Sequence, residues 1–158
     1  MLETDLAELL QDLLATQDEL LALLALKQRL LVAADVTGLE ALADRENALL
    51  ARLESVRDRR AGLLAQAAAE GQPATNLRAL GATLPLSQRQ SLEPSFDAAA
   101  RRNRLLEHHS LANWVLAQRT IVHLAQLLEI IATGGRSRPT YEMGQSAFSG
   151  GGLVDEAA

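Results

Sequence analysis

Cysteine is absent from the 158 residues. That removes disulfides, thiolate nucleophiles and thiolate metal ligands, and it fits a reducing cytoplasm. Aromatic residues make up only 3% of a chain that is 48% hydrophobic, so the apolar mass is Leu and Ala. These are strong helix formers, whereas β-branched strand formers are few. Basic residues are outnumbered, for a formal net charge of −5. No long basic run is present, so binding to a phosphate backbone has little to work with and no nucleic-acid partner is expected. The clusters Arg57-Asp58-Arg59-Arg60 and Arg101-Arg102-Asn103-Arg104 read as solvated helix faces. Charge-free runs are short as well. The greasiest early run, Leu20 to Leu26, is closed by Glu19 and Lys27. Nothing approaches the roughly 18 charge-free apolar residues that span a bilayer, so a soluble protein without membrane insertion is expected. Glu3 and Asp5 stand where a signal peptide would carry Lys or Arg.

The length suits one domain, and the Leu periodicity divides it into helices. A first helix is expected from about Leu2 to Ala34. Leu6, Leu9, Leu13, Leu20, Leu23 and Leu30 form one row, interrupted by Thr16 and Lys27. Leu10, Leu14, Leu21, Leu24 and Leu31 form a second row beside it. Two adjacent rows are wider than a two-stranded seam needs, so this helix should meet two neighbours. The stretch Thr37-Gly38-Leu39-Glu40 reads as a capping box. It opens a second helix from about Gly38 to Ala69, with a seam through Leu39, Leu42, Leu49, Leu53, Val56 and Leu63. The short link forces an antiparallel hairpin with arms of roughly 45 Å. Glu70-Gly71-Gln72-Pro73 ends the second helix. The segment up to Pro94 reads as a crossover with a short helix around Ala74 to Leu80, covering the hairpin or capping one end. A long third helix is then expected from Ser95, as N-cap, to Thr133. The fold class is therefore all-α: an antiparallel helical hairpin plus a long third helix, in an elongated bundle or coiled coil spanning 1–133. A flexible Gly/Ser-rich tail, 134–158, follows.

The third helix carries polar residues on seam-like positions, Asn103, Ser110, Asn113 and Thr120. Buried Asn in a helical seam costs stability and can fix register. Its end is apolar over most of its circumference, through Ile121, Val122, Leu124, Leu127, Leu128, Ile130 and Ile131. Such a helix must be buried somewhere, and the tail has too little apolar content to bury it. Either the rest of the chain or another protein does so, which makes this a binding protein before an enzyme. Leu124, Leu128 and Ile131 share a face suited to helix-in-groove binding. Tyr141, Met143 and Phe148 lie in the tail, where an aromatic or Met side chain needs a fold-back or a partner to pack on. Trp114 and Phe96, at seam positions, read as core.

Catalytic, metal and cofactor chemistry finds no support. His109 and His123 share a face but lie about 21 Å apart on a straight helix, too far for one ion. His109-Ser110-Leu111-Ala112-Asn113 faintly resembles the His-x-Leu-Lys-Gly motif of histidine phosphotransfer domains. Ala112 stands where that family's Lys would neutralise the phosphoryl group, and Asn113 where its Gly admits the response regulator. No Gly-x-Ser-x-Gly elbow occurs. Gly150-Gly151-Gly152 has no preceding strand or following helix, so it is not a phosphate loop.

Four pieces of the chain together resemble the FlgN family of flagellar export chaperones. They are the Leu-rich first helix; the stretch Ala34-Asp35-Val36-Thr37-Gly38-Leu39-Glu40-Ala41-Leu42, followed by Leu49, Leu50 and Leu53; the long helix with Asn103, Asn113 and Leu116; and Thr140-Tyr141-Glu142-Met143-Gly144-Gln145. The resemblance implies a cytoplasmic, non-enzymatic chaperone. It would bind the C-terminal helices of the hook-associated proteins FlgK and FlgL, the hook-filament junction proteins, prevent their premature assembly, and deliver them to the flagellar type III export apparatus. The expected partner-binding residues are Ile121, Leu124, Leu127, Leu128, Ile131, Tyr141 and Met143. A helical adaptor that dimerises through its broad Leu faces stays open as the alternative, with a phosphotransfer-like module behind it.

Overall fold

A computed structural model describes residues 2–134. Its elements are α1 (Leu2–Val32), α2 (Val36–Ala69), α3 (Leu77–Gly81) and α4 (Leu86–Thr133), with no strand among the described residues. The all-helical expectation holds. The chain divides after Thr120 into two units, described separately below.

In residues 2–120, α1 and α2 form the antiparallel hairpin. The ion pairs Asp12–Arg59, Glu19–Arg52 and Lys27–Glu46 ascend α1 while descending α2, the first two stepping by one heptad on each helix. These pairs, two of them exposed and Lys27–Glu46 half-buried, mark the register, and the exposed ones contribute little energy each. The stability comes from the seam. On α2 the buried residues Leu42, Leu49, Val56 and Leu63 repeat every seven, the spacing that keeps one stripe facing a partner helix. On α1 the buried set is wider, including Leu6, Leu9, Leu10, Leu20, Leu23 and Leu31. It serves two neighbours, as the double Leu row requires.

The second neighbour is α4, which runs parallel to α1. Gln17 Nε2 donates to the Ala99 carbonyl, Arg102 pairs with Asp18, and Asn113 Nδ2 donates to the Leu24 carbonyl. Both helices ascend through these contacts. Two apolar clusters result. One gathers Leu6, Leu9, Leu10 and Leu63 with Leu80 and Phe96. The other gathers Leu20, Leu23, Leu42 and Leu49, with Leu53 and Leu106 packed against it.

The turns differ from the sequence reading in two places. The first helix stops at Val32, because Ala34 takes a left-handed conformation with φ 53°. Asp35 N–H bonds the Leu30 carbonyl and Ala34 N–H the Leu31 carbonyl, the bonding of a Schellman motif. The second helix is then capped by the Asp35 carboxylate, which accepts from Gly38 N–H at 2.9 Å. The cap is therefore Asp35 and not Thr37. A carboxylate already oriented by the preceding turn satisfies that amide first.

The crossover holds the short helix α3, capped by Asn76, whose side chain accepts from Ala79 N–H at 2.8 Å. It closes one end of the hairpin by burying Leu77 and Leu80. The long helix begins at Leu86, nine residues before the expected Ser95, and carries Pro94 inside it. Proline removes one ladder bond and crowds the preceding turn. Two observations explain why the helix continues. Leu92 and Phe96 are buried on either side of Pro94, and Arg78 of α3 pairs with both Glu93 and Asp97, which straddle it.

Candidate functional site

In the second unit the described residues are the last three turns of α4 and Gly134. All of Ile121–Gly134 are exposed. The sequence placed partner binding on Ile121, Leu124, Leu127, Leu128 and Ile131. The structure leaves each uncovered, from 41% at Leu127 to 76% at Ile131. Ile121, Leu124, Leu128 and Ile131 alternate steps of three and four, which sets them in one stripe. Val122 and Ile130 are exposed beside them, so the apolar character exceeds one face. Tyr141 and Met143 lie outside the described residues.

Exposed apolar side chains scattered singly need no explanation, whereas a contiguous run of this kind marks an interaction surface. Within α4 an 18-residue window reaches a mean hydropathy of 1.3 with none of it buried. That meets a membrane-crossing helix in length and mean hydropathy only, and no charge-free run of that length occurs in it. Arg119, His123 and Glu129 interrupt the stretch, and a charged residue deep in a bilayer is costly.

In the first unit, the buried polar positions are Thr16, Gln17 and Asn113. The sequence singled out Asn113 on a seam position, and it is there. Gln17 was missed because it sits between two Leu rows without interrupting either. Each amide spends its NH₂ group on a backbone carbonyl of the facing helix, which leaves Gln17 Oε1 and Asn113 Oδ1 buried without a partner. The expectation for Trp114 is overturned. Phe96 is core, but Trp114 is 61% exposed. The seam residue is Asn113, and one residue further along a helix turns the side chain by about 100°.

His108 and His109 stack edge to face at 5.8 Å. No group of three or more metal-ligating side chains occurs among the described residues. The shifted titrations are structural. The Arg78 hydrogen bond holds Asp97 below its usual carboxylate range and raises Arg78 in turn, and the Asp18 hydrogen bond raises Arg102.

The described residues define a class: an all-α protein of long helices with an uncovered apolar helix end. The chain belongs to the FlgN family, whose model matches residues 1–147, described as FlgN protein. The match takes in the hairpin, the crossover, the whole of α4 and the segment with Tyr141 and Met143. No curated protein and no solved structure shows significant similarity to the chain. Membership implies the general role of a flagellar export chaperone, and members of this family are chaperones rather than enzymes.

Proposed function

We propose that this chaperone acts in the cytoplasm on the hook-associated proteins FlgK and FlgL, holding their C-terminal helices against the end of α4. The carrying observation is that the stripe Ile121, Leu124, Leu128 and Ile131 stands exposed on a formed helix. A preformed helix face offers an amphipathic partner helix apolar area without first having to fold. Tyr141 and Met143 follow it in the chain and join the grip, and the bound subunit is then passed to the export apparatus. Capping the subunit's own helix prevents its premature assembly.

Calorimetry with the C-terminal helical segment of a hook-filament junction protein tests this reading. Binding at micromolar affinity or tighter, with a negative heat-capacity change, is the expected outcome. Leu128→Glu should abolish it with the helical signal and melting temperature retained, since Leu128 is 66% exposed. Unfolding of that variant, or unchanged binding, would refute the assignment of the surface. A chain ending at Gly134 should bind more weakly if Tyr141 and Met143 contribute. The same exposed stripe also favours a second reading, self-association, which sedimentation velocity separates by a concentration-dependent mass.

A further inference from the structure

The exposed end of α4 is apolar over half its circumference. Ile121 and Ile130 are nine residues apart, or about two and a half turns, so they point in opposite directions from the helix axis. At about 100° per residue, Leu128, Leu124, Ile131 and Leu127 fall in that order between them, all on one side. His123, next to Ile130, is the one polar residue on that side. The opposite side carries Gln126, Glu129 and Thr133, with Val122 among them. Every one of these residues is exposed.

A helix that packs on one neighbour presents an apolar stripe about 100° wide, and the arc here is close to twice that. The same proportion holds elsewhere in the molecule. α2 buries one heptad row, Leu42, Leu49, Val56 and Leu63, against α1. α1 carries two adjacent Leu rows and packs on both α2 and α4. The end of α4 also carries two rows. Ile121, Leu124, Leu128 and Ile131 form the first, and His123, Leu127 and Ile130 the second, each in steps of three and four. A single helix laid on the first row leaves Ile130 on the far side of α4. Residues 135–158 do not supply a second helical row. Their large apolar residues are Tyr141, Met143, Phe148, Leu153 and Val154, and no two of these are three or four residues apart. Both rows therefore fall to the partner.

We infer that the client engages the end of α4 with two amphipathic helices of one chain, one on each row, so that α4 becomes the third helix of a bundle shared with the client. The inference rests on the α4 end being the client surface, and adds the number of client helices it takes. Linking the two helices makes the docking of the second intramolecular, which strengthens binding without a new contact.

The chain has no cysteine, so a single thiol can be placed on each side of the helix. The variants are Ile121→Cys in the first row, Ile130→Cys in the second and Val122→Cys on the polar side, all at exposed positions. Alkylation by a maleimide is timed with and without saturating intact hook-filament junction protein. The client should slow the reaction of both Ile121→Cys and Ile130→Cys at least about tenfold, the factor for a site uncovered no more than about a tenth of the time. Val122→Cys should react as fast as before, and the complex should sediment with one client per chain. Protection of Ile121→Cys alone means one client helix; it overturns the inference and leaves the client surface in place. Protection at neither row, with binding still seen by calorimetry, removes the client surface itself and the inference with it. Two clients per chain overturns the single-chain origin of the helices. Loss of the Ile130→Cys protection in a chain ending at Gly134 also overturns the inference, because residues 135–158 would then cover the second row. So does protection of Ile130→Cys without client that grows with chain concentration, which would make the occupant a second copy.

Discussion

Two helix ends in this molecule use the same hydrogen bonds with different residues at the left-handed position. After α2, Gly71 has φ 73°, with Gly71 N–H on the Ala68 carbonyl and Gln72 N–H on that of Ala67. After α1, Ala34 occupies the equivalent position at φ 53°. Alanine in this region brings its Cβ close to the following carbonyl. Ala34→Gly is therefore expected to stabilise the protein by about 0.5–1 kcal/mol, and Gly71→Ala to destabilise it by about 1 kcal/mol. Urea midpoints for the two variants should move in opposite directions. Gly81 has a different reason to be glycine. A Cβ there would sit 3.0 Å from the Phe96 ring, so Gly81→Ala should cost about 1–3 kcal/mol by overpacking, read as a lower midpoint at unchanged slope. At this scale the sequence was legible where chemistry is distinctive. Gly71 announced its turn. Ala34 did not, because nothing about alanine marks a left-handed residue, and the cap moved to Asp35 because that turn placed its carboxylate first.

Element boundaries were legible where local signals and tertiary contacts agree. The hairpin follows from Leu spacing alone, since Leu42, Leu49 and Leu63 sit where a heptad places them. The start of α4 does not follow, because Pro94 is a strong local stop signal. Its override comes from tertiary contacts: Leu92 and Phe96 are buried on either side of it, and Arg78, distant in sequence, spans it through Glu93 and Asp97. Pro94→Ala should restore the missing ladder bond and raise stability by about 1–3 kcal/mol, the upper bound being the full interior-proline penalty. Chemical denaturation measures it directly. The Arg78 clamp also has a pH signature. Its hydrogen bond lowers Asp97 below the usual carboxylate value. The contribution is thus complete above that value and is lost as the pH falls through the lower folded-state value. The stability difference between the native chain and Asp97→Asn should be flat at neutral pH and vanish at the acid end. The groups are exposed, so the effect is small.

At the scale of the whole molecule, the apolar end of α4 was legible as a surplus of Leu and Ile that the chain could not cover, and all of it is exposed. Trp114 was misread, because seam membership is decided by one residue's rotation, and Asn113 took the inward place through its bond to Leu24. The partnerless amide oxygens of Gln17 and Asn113 were not legible at all, since the facing helices must be placed before either can be seen to lack a donor. The topology also sets an order of events in folding. α1 meets α2 across a link of a few residues, whereas Gln17 and Asn113 join α1 to α4 across 82 and 89 residues. Closing the longer loops carries the larger entropy cost. The hairpin should therefore belong to the transition state and α4 should dock after the barrier. Truncating Leu23 or Leu49 should slow refolding, while Leu128→Glu should leave both the folding and unfolding rates unchanged in stopped-flow measurements. The residues that meet other proteins would then be invisible to the kinetics of the protein's own assembly, and so free to diverge without endangering it.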